Sequence, residues 1–315
     1  QIRLGGNGTA NAAIAPTGTL NITNGGTVIV TPSTGQSMVV GDIPTGTGVI
    51  NIYTNSTLIA GRQMYGIGSG YVNLYGGTVQ VSSSVNALSG GVLFQNNLTR
   101  VMIGAGGATI DDGGANVLIN APLQHDSNVS TDGGLTKKGA GSLTFNFDPS
   151  TAGAGVYNGN TVVAEGTLKL PAVGLTWSSF TVNNGAKLTV WRYNDLAVAE
   201  VAGLTLNNGS SLTIDEGLPA GAPDPSSPLL YVNGLITTAG TVTVNVTNAV
   251  FDAPGEYQLF NYGYFGGSLA GAGFAAFQLG SVPVTPGLAY SLVNNTSSGT
   301  IDLVVSQIES LTWDG

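Results

Sequence analysis

Apolar and polar residues alternate along this chain in short runs, and many of the runs end in a turn of Asn and Gly. One phrase recurs: Leu20-Asn21-Ile22-Thr23-Asn24-Gly25-Gly26-Thr27-Val28, then Ile50-Asn51-Ile52 through Leu58, then Val72-Asn73-Leu74 through Val79. Later copies are Phe180-Thr181-Val182-Asn183-Asn184-Gly185 with Leu188 and Val190, and Leu204-Thr205-Leu206-Asn207-Asn208-Gly209 with Leu212 and Ile214. Side chains at spacing two share one face of a strand. The pattern therefore predicts strands and, with helical periodicity missing, almost no helix; even Asp195–Gly203 reads as strand or loop. The copies lie 30, 22 and 24 residues apart, for the pairs 20/50, 50/72 and 180/204. Unequal offsets suit a solenoid with loops of variable length, whose coils bury their apolar faces only by stacking. Leu20, Ile22, Ile50, Ile52, Val72 and Leu74 are then core, while Asn21, Asn51 and Asn73 face outward as a candidate polar ladder.

From Gly134 to Leu170 two alternating runs, Ser142–Phe147 and Thr161–Leu170, flank a Gly- and Ala-rich linker. This segment resembles the passenger-associated β-strand repeat of bacterial autotransporters and related surface proteins, roughly GLTKxGxGxLxLxGxNxYxGxTxVxxGTLxL. Gly134, Leu135, Thr136, Lys137, Gly139, Gly141, Leu143, Tyr157, Gly159, Thr161, Val163, Gly166, Thr167, Leu168 and Leu170 fall on the pattern. Lys138 and a longer linker containing Asp148-Pro149 depart from it. Val101–Pro122 looks like the coils that precede the repeat in the same families. The resemblance implies export, because proteins that carry the repeat are exported.

Composition shifts after Gly217. Residues 219–228 hold four prolines, which cannot donate to a β-ladder, and mark a protruding loop or a boundary. Beyond it, Thr241–Val246 and Ile301–Val305 alternate cleanly around an aromatic-rich segment, Tyr257–Ser268. That segment, and the strands ending in SGTIDLVV, resemble the closing part of the same surface proteins, where large side chains plug the open end of a solenoid core. Ser306–Gly315 ends in Thr312-Trp313-Asp314-Gly315, a phrase that often opens a further unit in this family, so the natural chain is expected to continue. Gln1 is no translation start, and the chain reads as a processed or trimmed form.

The 315 residues include 49 glycines and no cysteine, and only 8% are charged against about a quarter in average domains. Mean hydropathy is positive, +0.24, yet no apolar window approaches the ~18 residues of a membrane-spanning helix. A net charge of −9 with scattered cations argues against nucleic acid and anionic membrane surfaces.

Candidate chemistry is sparse. Asp111-Asp112 is an adjacent acidic pair, but neighbours in a strand point to opposite faces, and Asp-Asp-Gly-Gly is ordinary turn chemistry. His125, the single histidine, reads as a loop residue, and no GxSxG elbow frames a serine for it. The Gly-x-Gly matches at 66–70 and 139–141 lack the rest of a phosphate-loop fingerprint. Tyr53, Tyr65, Tyr71 and Tyr75 are candidate glycan contacts.

The sequence thus predicts an all-β chain: a right-handed parallel β-helix over 1–217, a C-terminal β-rich cap over 218–305 and an extended tail over 306–315. The expected function is that of an extracellular or bacterial cell-surface structural protein, a passenger, adhesin or filament subunit with no catalysis and no cofactor or metal. Its expected partner is a second copy, met head to tail through Ile2, Leu4, Ile308, Leu311 and Trp313, with surface glycans or a host or biofilm matrix as further partners. The alternative is a polysaccharide-binding or polysaccharide-cleaving β-helix that uses the tyrosines and Asp111 or Asp112.

Overall fold

An extended strand exposes N–H and C=O groups along both edges, and each needs a partner. A chain of recurring runs supplies them by pairing each run with its next copy. The computed structural model shows this arrangement and describes residues 2–6, 15–31, 38–82, 91–147, 156–173, 175–192, 198–217, 227–248, 251 and 253–308. They fall into two compact units, Gln1–Lys169 and Leu170–Gly315.

The first unit is built from three parallel sheets that the chain visits in turn. The first sheet joins Ile2–Leu4 (β1), Met38–Val40 (β4), Met64–Tyr65 (β7), Val92–Phe94 (β10), Asn116–Ile119 (β13), Ser142–Phe145 (β16) and Thr167–Ala172 (β18), the last crossing the division. The second joins Thr17–Ile22 (β2), Thr47–Tyr53 (β5), Ser69–Tyr75 (β8), Arg100–Ile103 (β11) and Leu123–His125 (β14). The third joins Thr27–Val30 (β3), Thr57–Ala60 (β6), Thr78–Val81 (β9), Ala108–Asp111 (β12), Leu135–Lys138 (β15) and Thr161–Val163 (β17). This is a parallel β-helix.

Register follows the recurring phrase. Leu20 pairs with Ile50 and Ile50 with Val72, Ile22 with Ile52 and Ile52 with Leu74, and Asn21, Asn51 and Asn73 form the row between. Ile22, Ile50, Ile52, Val72 and Leu74 are buried. Leu20 is only half-buried, because β2 is the edge of its sheet and no further coil lies over it among the described residues.

In the second unit, Lys187–Arg192 (β21), Ser211–Asp215 (β24), Val242–Thr247 (β27) and Phe277–Leu279 (β30) form one parallel run. Phe180–Val182 (β20), Leu204–Leu206 (β23), Leu235–Thr238 (β26) and Ser268–Gly271 (β29) form another. A third holds Leu175–Trp177 (β19), Ala199–Val201 (β22), Leu230–Val232 (β25) and Gly255–Asn261 (β28). It then changes direction: Thr300–Gln307 (β32) pairs antiparallel with β28, and Leu288–Asn295 (β31) pairs antiparallel with β32.

This hairpin, with the short 3₁₀ turn Gly273–Ala276, is the β-rich cap. Aromatics pack beside it, with Phe260 5.5 Å from Phe277 and Phe251 4.9 Å from Tyr257 and 6.4 Å from Tyr290, but Tyr264 and Phe265 of the expected plug segment are exposed. The compositional break at 217/218 falls between β24 and β25, within the second unit. Ser306 and Gln307 belong to β32 rather than to a free tail, pairing with Ala289 and Leu288. Ile308 follows at 55% exposure, and Leu311 and Trp313 lie outside the described residues.

Candidate functional site

The outer face of β5 and β8 is where the candidate glycan contacts meet. Residues 71, 73 and 75 share one side of β8, so Tyr71 and Tyr75 flank Asn73. The asparagines form a ladder: Asn51 Nδ2 donates to Asn21 Oδ1 at 2.7 Å, and Asn73 Nδ2 donates to Asn51 Oδ1 at 2.8 Å. Arg100 ends the row, with Nη2 3.4 Å from Asn73 Oδ1 and its guanidinium 5.6 Å from the centre of the Tyr71 ring. Asn73 faces outward yet is only 6% exposed.

Tyr53 and Tyr75, paired across coils, stack with ring centres 5.2 Å apart and planes 23° apart. Gly104 follows β11 in the next coil, where an added Cβ would lie 2.5 Å from Tyr75 Cδ1, so the far side of that ring is covered by backbone. Burial raises the Tyr75 phenol above the ordinary tyrosine value, with Asp126 and Tyr53 adding to the rise and Arg100 opposing it. Tyr65 belongs to β7, in another sheet, and does not join this face.

The acidic pair diverges. Asp111 stays at the surface, accepting from Gly113 N at 2.9 Å and from Gln80 Nε2 at 3.4 Å. Asp112 is fully buried and meets Lys137, also fully buried, with Nζ 2.5 Å from Oδ2. Lys137 holds an inward position in the row Val79, Ile110, Lys137, Val163, where every other member is aliphatic. Its ammonium also donates to the carbonyls of Lys138 at 3.1 Å and Gly139 at 2.6 Å, and Asp112 Oδ1 accepts from Gly114 N and Gly141 N. All three ammonium protons and both carboxylate oxygens are engaged. The alternation of Leu135 and Lys137 carried this signal, but a lysine in a core row was not foreseen.

His125 ends strand β14 and is no loop residue. Its Nδ1 lies 2.8 Å from Asp132 Oδ2, and its Nε2 lies 2.9 Å from the Val129 carbonyl. A histidine–carboxylate half of a triad is present, but the nitrogen that would serve a nucleophile faces a backbone carbonyl instead. Asp132 accepts further from Gly134 N, Gly159 N and Asn158 N at 2.9, 2.9 and 2.7 Å. Five of the glycines on the repeat pattern thus surround two buried anions: Gly134 and Gly159 at Asp132, and Gly139, Gly141 and Gly166 at the Asp112–Lys137 pair.

A scan against protein-family models and searches of curated proteins and solved structures find no match.

A third acidic arrangement lies in the cap, unforeseen because its members are 46 residues apart. Asp302 is buried on β32, and its hydrogen bond with Glu256 raises the Glu256 carboxyl above the ordinary glutamate value, with burial and the charge of Asp302 adding to it. Among the described residues, no three His, Cys, Asp or Glu side chains gather as a metal site would require, and no helix is long and apolar enough to cross a membrane.

Proposed function

We propose that this chain is a structural β-solenoid protein of the extracellular space or bacterial cell surface, a passenger, adhesin or filament subunit that performs no catalysis and joins other copies head to tail. One observation carries the assembly. Ile2, Leu4, Leu20 and Val28 are half-buried, whereas their partners in the next coil, Met38, Val40, Ile50 and Leu58, have lost all exposure. Among the described residues β1, β2 and β3 are sheet edges, and an edge beside half-covered apolar side chains favours a further strand layer, from a second copy or from chain that precedes residue 1. A head-to-tail contact does not close on itself and so builds a filament. The saturated bonding of Asp112 and Asp132 supports a structural role for these acids, and the resemblance of 134–170 to the passenger repeat supports export.

Light scattering and negative-stain microscopy at rising concentration test the assembly. The parent chain is expected to lengthen into filaments, and Leu4→Asp with Leu20→Asp to remain monomeric while keeping its circular dichroism. A parent that stays monodisperse at millimolar concentration refutes head-to-tail assembly. The alternative, a polysaccharide-binding or polysaccharide-cleaving β-helix, is favoured on its binding side by the Tyr53–Tyr75 stack. Its cleaving side would need Asp111 or Asp112 at the surface as a pair, and they point apart.

A further inference from the structure

The row that holds the stacked tyrosines is open at one end only. Tyr75 is closed off by Gly104, as described, so one face of the pair is spent on backbone. Tyr53 lies at the other end. Below it, in the register that pairs Ile22 with Ile52, stands Thr23, too small to continue the stack. The missing ring leaves an open cleft of about 380 Å³ lined by Thr23, Asn24, Gly25, Tyr53, Thr54 and Asn55. Tyr53 is 38% exposed. Asn24 and Asn55 sit at the corners of successive coils in the left-handed region, with φ of 56° and 62°. Thr54 Oγ1 donates to the Tyr75 carbonyl at 3.1 Å and retains its lone pairs.

We propose that this cleft is a binding subsite for a neutral pyranose of a surface glycan. The apolar C–H face of a sugar ring matches an open aromatic face in size and polarity, and the cleft offers one such face. Sugar hydroxyls both donate and accept, and two carboxamides with two hydroxyls do the same. Among the described residues no Asp, Glu, Lys or Arg lines the cleft, which favours an uncharged glycan over an acidic or sulfated one. Ligand sites are concave, with a largely preformed apolar surface and a few convergent polar groups; here the strand ladder holds Tyr53 and the corner turns hold the amides. The inference goes beyond the filament reading and does not depend on it, since one coil pair of a single chain supplies every group.

Isothermal titration of the dispersed chain with cellohexaose, chitohexaose and polygalacturonate tests it. Saturable binding of at least one neutral hexasaccharide is expected, with a dissociation constant on the order of 1 mM. Tyr53→Ala should weaken it about tenfold or more, and Tyr53→Trp should retain it. Thr23→Tyr, whose ring would continue the stack over the open Tyr53 face and fill the cleft, should abolish binding at this subsite, while Tyr65→Ala, on a different sheet, should change nothing. Circular dichroism melts of each variant report whether the fold is kept. Absence of binding to both neutral probes, equal binding by Tyr53→Ala or Thr23→Tyr, or preference for polygalacturonate overturns the proposal.

Discussion

Asp112 and Asp132 are both buried carboxylates seated against glycines of the 134–170 segment, but they are held by different means. Asp112 faces an ammonium brought in on a core position, and the two charges bond to each other and to backbone groups at the coil corner. Asp132 draws on three backbone N–H groups and takes its one side-chain partner from His125, which is itself partly exposed. Removing one member of a buried pair strands a full charge, whereas removing a partner from a group held by many dipoles strands little. The two corners should therefore fail very differently.

The largest expected effect is at Lys137. Lys137→Met leaves Asp112 buried without its cation and should cost about 3–5 kcal/mol, which lowers Tm by on the order of 10 °C in a thermal melt. Adding Asp112→Asn to that variant should recover much of the loss, since an uncharged amide no longer needs the ammonium. If the single variant melts with the parent, the pair contributes nothing and the contrast between the corners collapses.

Asp132→Asn should cost less, about 1–3 kcal/mol. Its amide can still accept from Gly134 N and Gly159 N through one oxygen, but its nitrogen then faces the Asn158 N–H that Oδ2 accepted. Loss equal to that of Lys137→Met would show that dipoles and an ion pair hold a carboxylate equally firmly here. His125→Gln should cost least at this corner, about 1 kcal/mol, because Asp132 keeps its backbone donors; urea melts of the two variants rank them.

The smallest effect concerns the acid pair of the cap. The Glu256 carboxyl is raised in the folded protein above its unfolded value near 4.5, so its contribution is fully present below that pH and is lost as pH rises through the folded value. Glu256→Gln should flatten this dependence and leave Tm at pH 7 higher than the parent's by about 1 °C. Melts at pH 4 and pH 7 check it: a parent with the same pH slope as the variant would mean that Asp302 does not raise the Glu256 carboxyl.

Much of the fold was legible because one rule, alternation, acts on every strand. The offsets between copies of the phrase reappear as the cross-coil register, and the asparagine row fell where the phrase put it. Register is readable because a one-residue slip turns a whole row of aliphatic side chains outward. What stayed illegible is what depends on neighbours in the next coil. Nothing in Lys137 alone says that its ammonium reaches a carboxylate one coil away, and nothing in Tyr65 says that it sits on a different sheet from Tyr53, Tyr71 and Tyr75. The half-burial of Leu20 likewise follows from the place of β2 at the edge of its sheet among the described residues. The tail contacts Leu311 and Trp313 lie outside the described residues and stand as read from sequence.

The unequal coil lengths have an evolutionary consequence. Ile22 and Ile52 are adjacent in space across 30 residues, and Ile52 and Leu74 across 22, yet both pairs sit in the same row. Eight residues more or fewer between strands leave the ladder unchanged, whereas one residue gained inside β5 would expose Ile50 and Ile52 together. A lineage carrying this fold therefore meets two kinds of insertion, one nearly neutral to the fold and one that disrupts it, separated by only a few codons. Corner segments are free to drift in length and sequence and to acquire new contacts, while the strands beside them are held by their partners on either side. Grafting a foreign peptide at a corner, and selecting for what it binds, would exploit the same freedom.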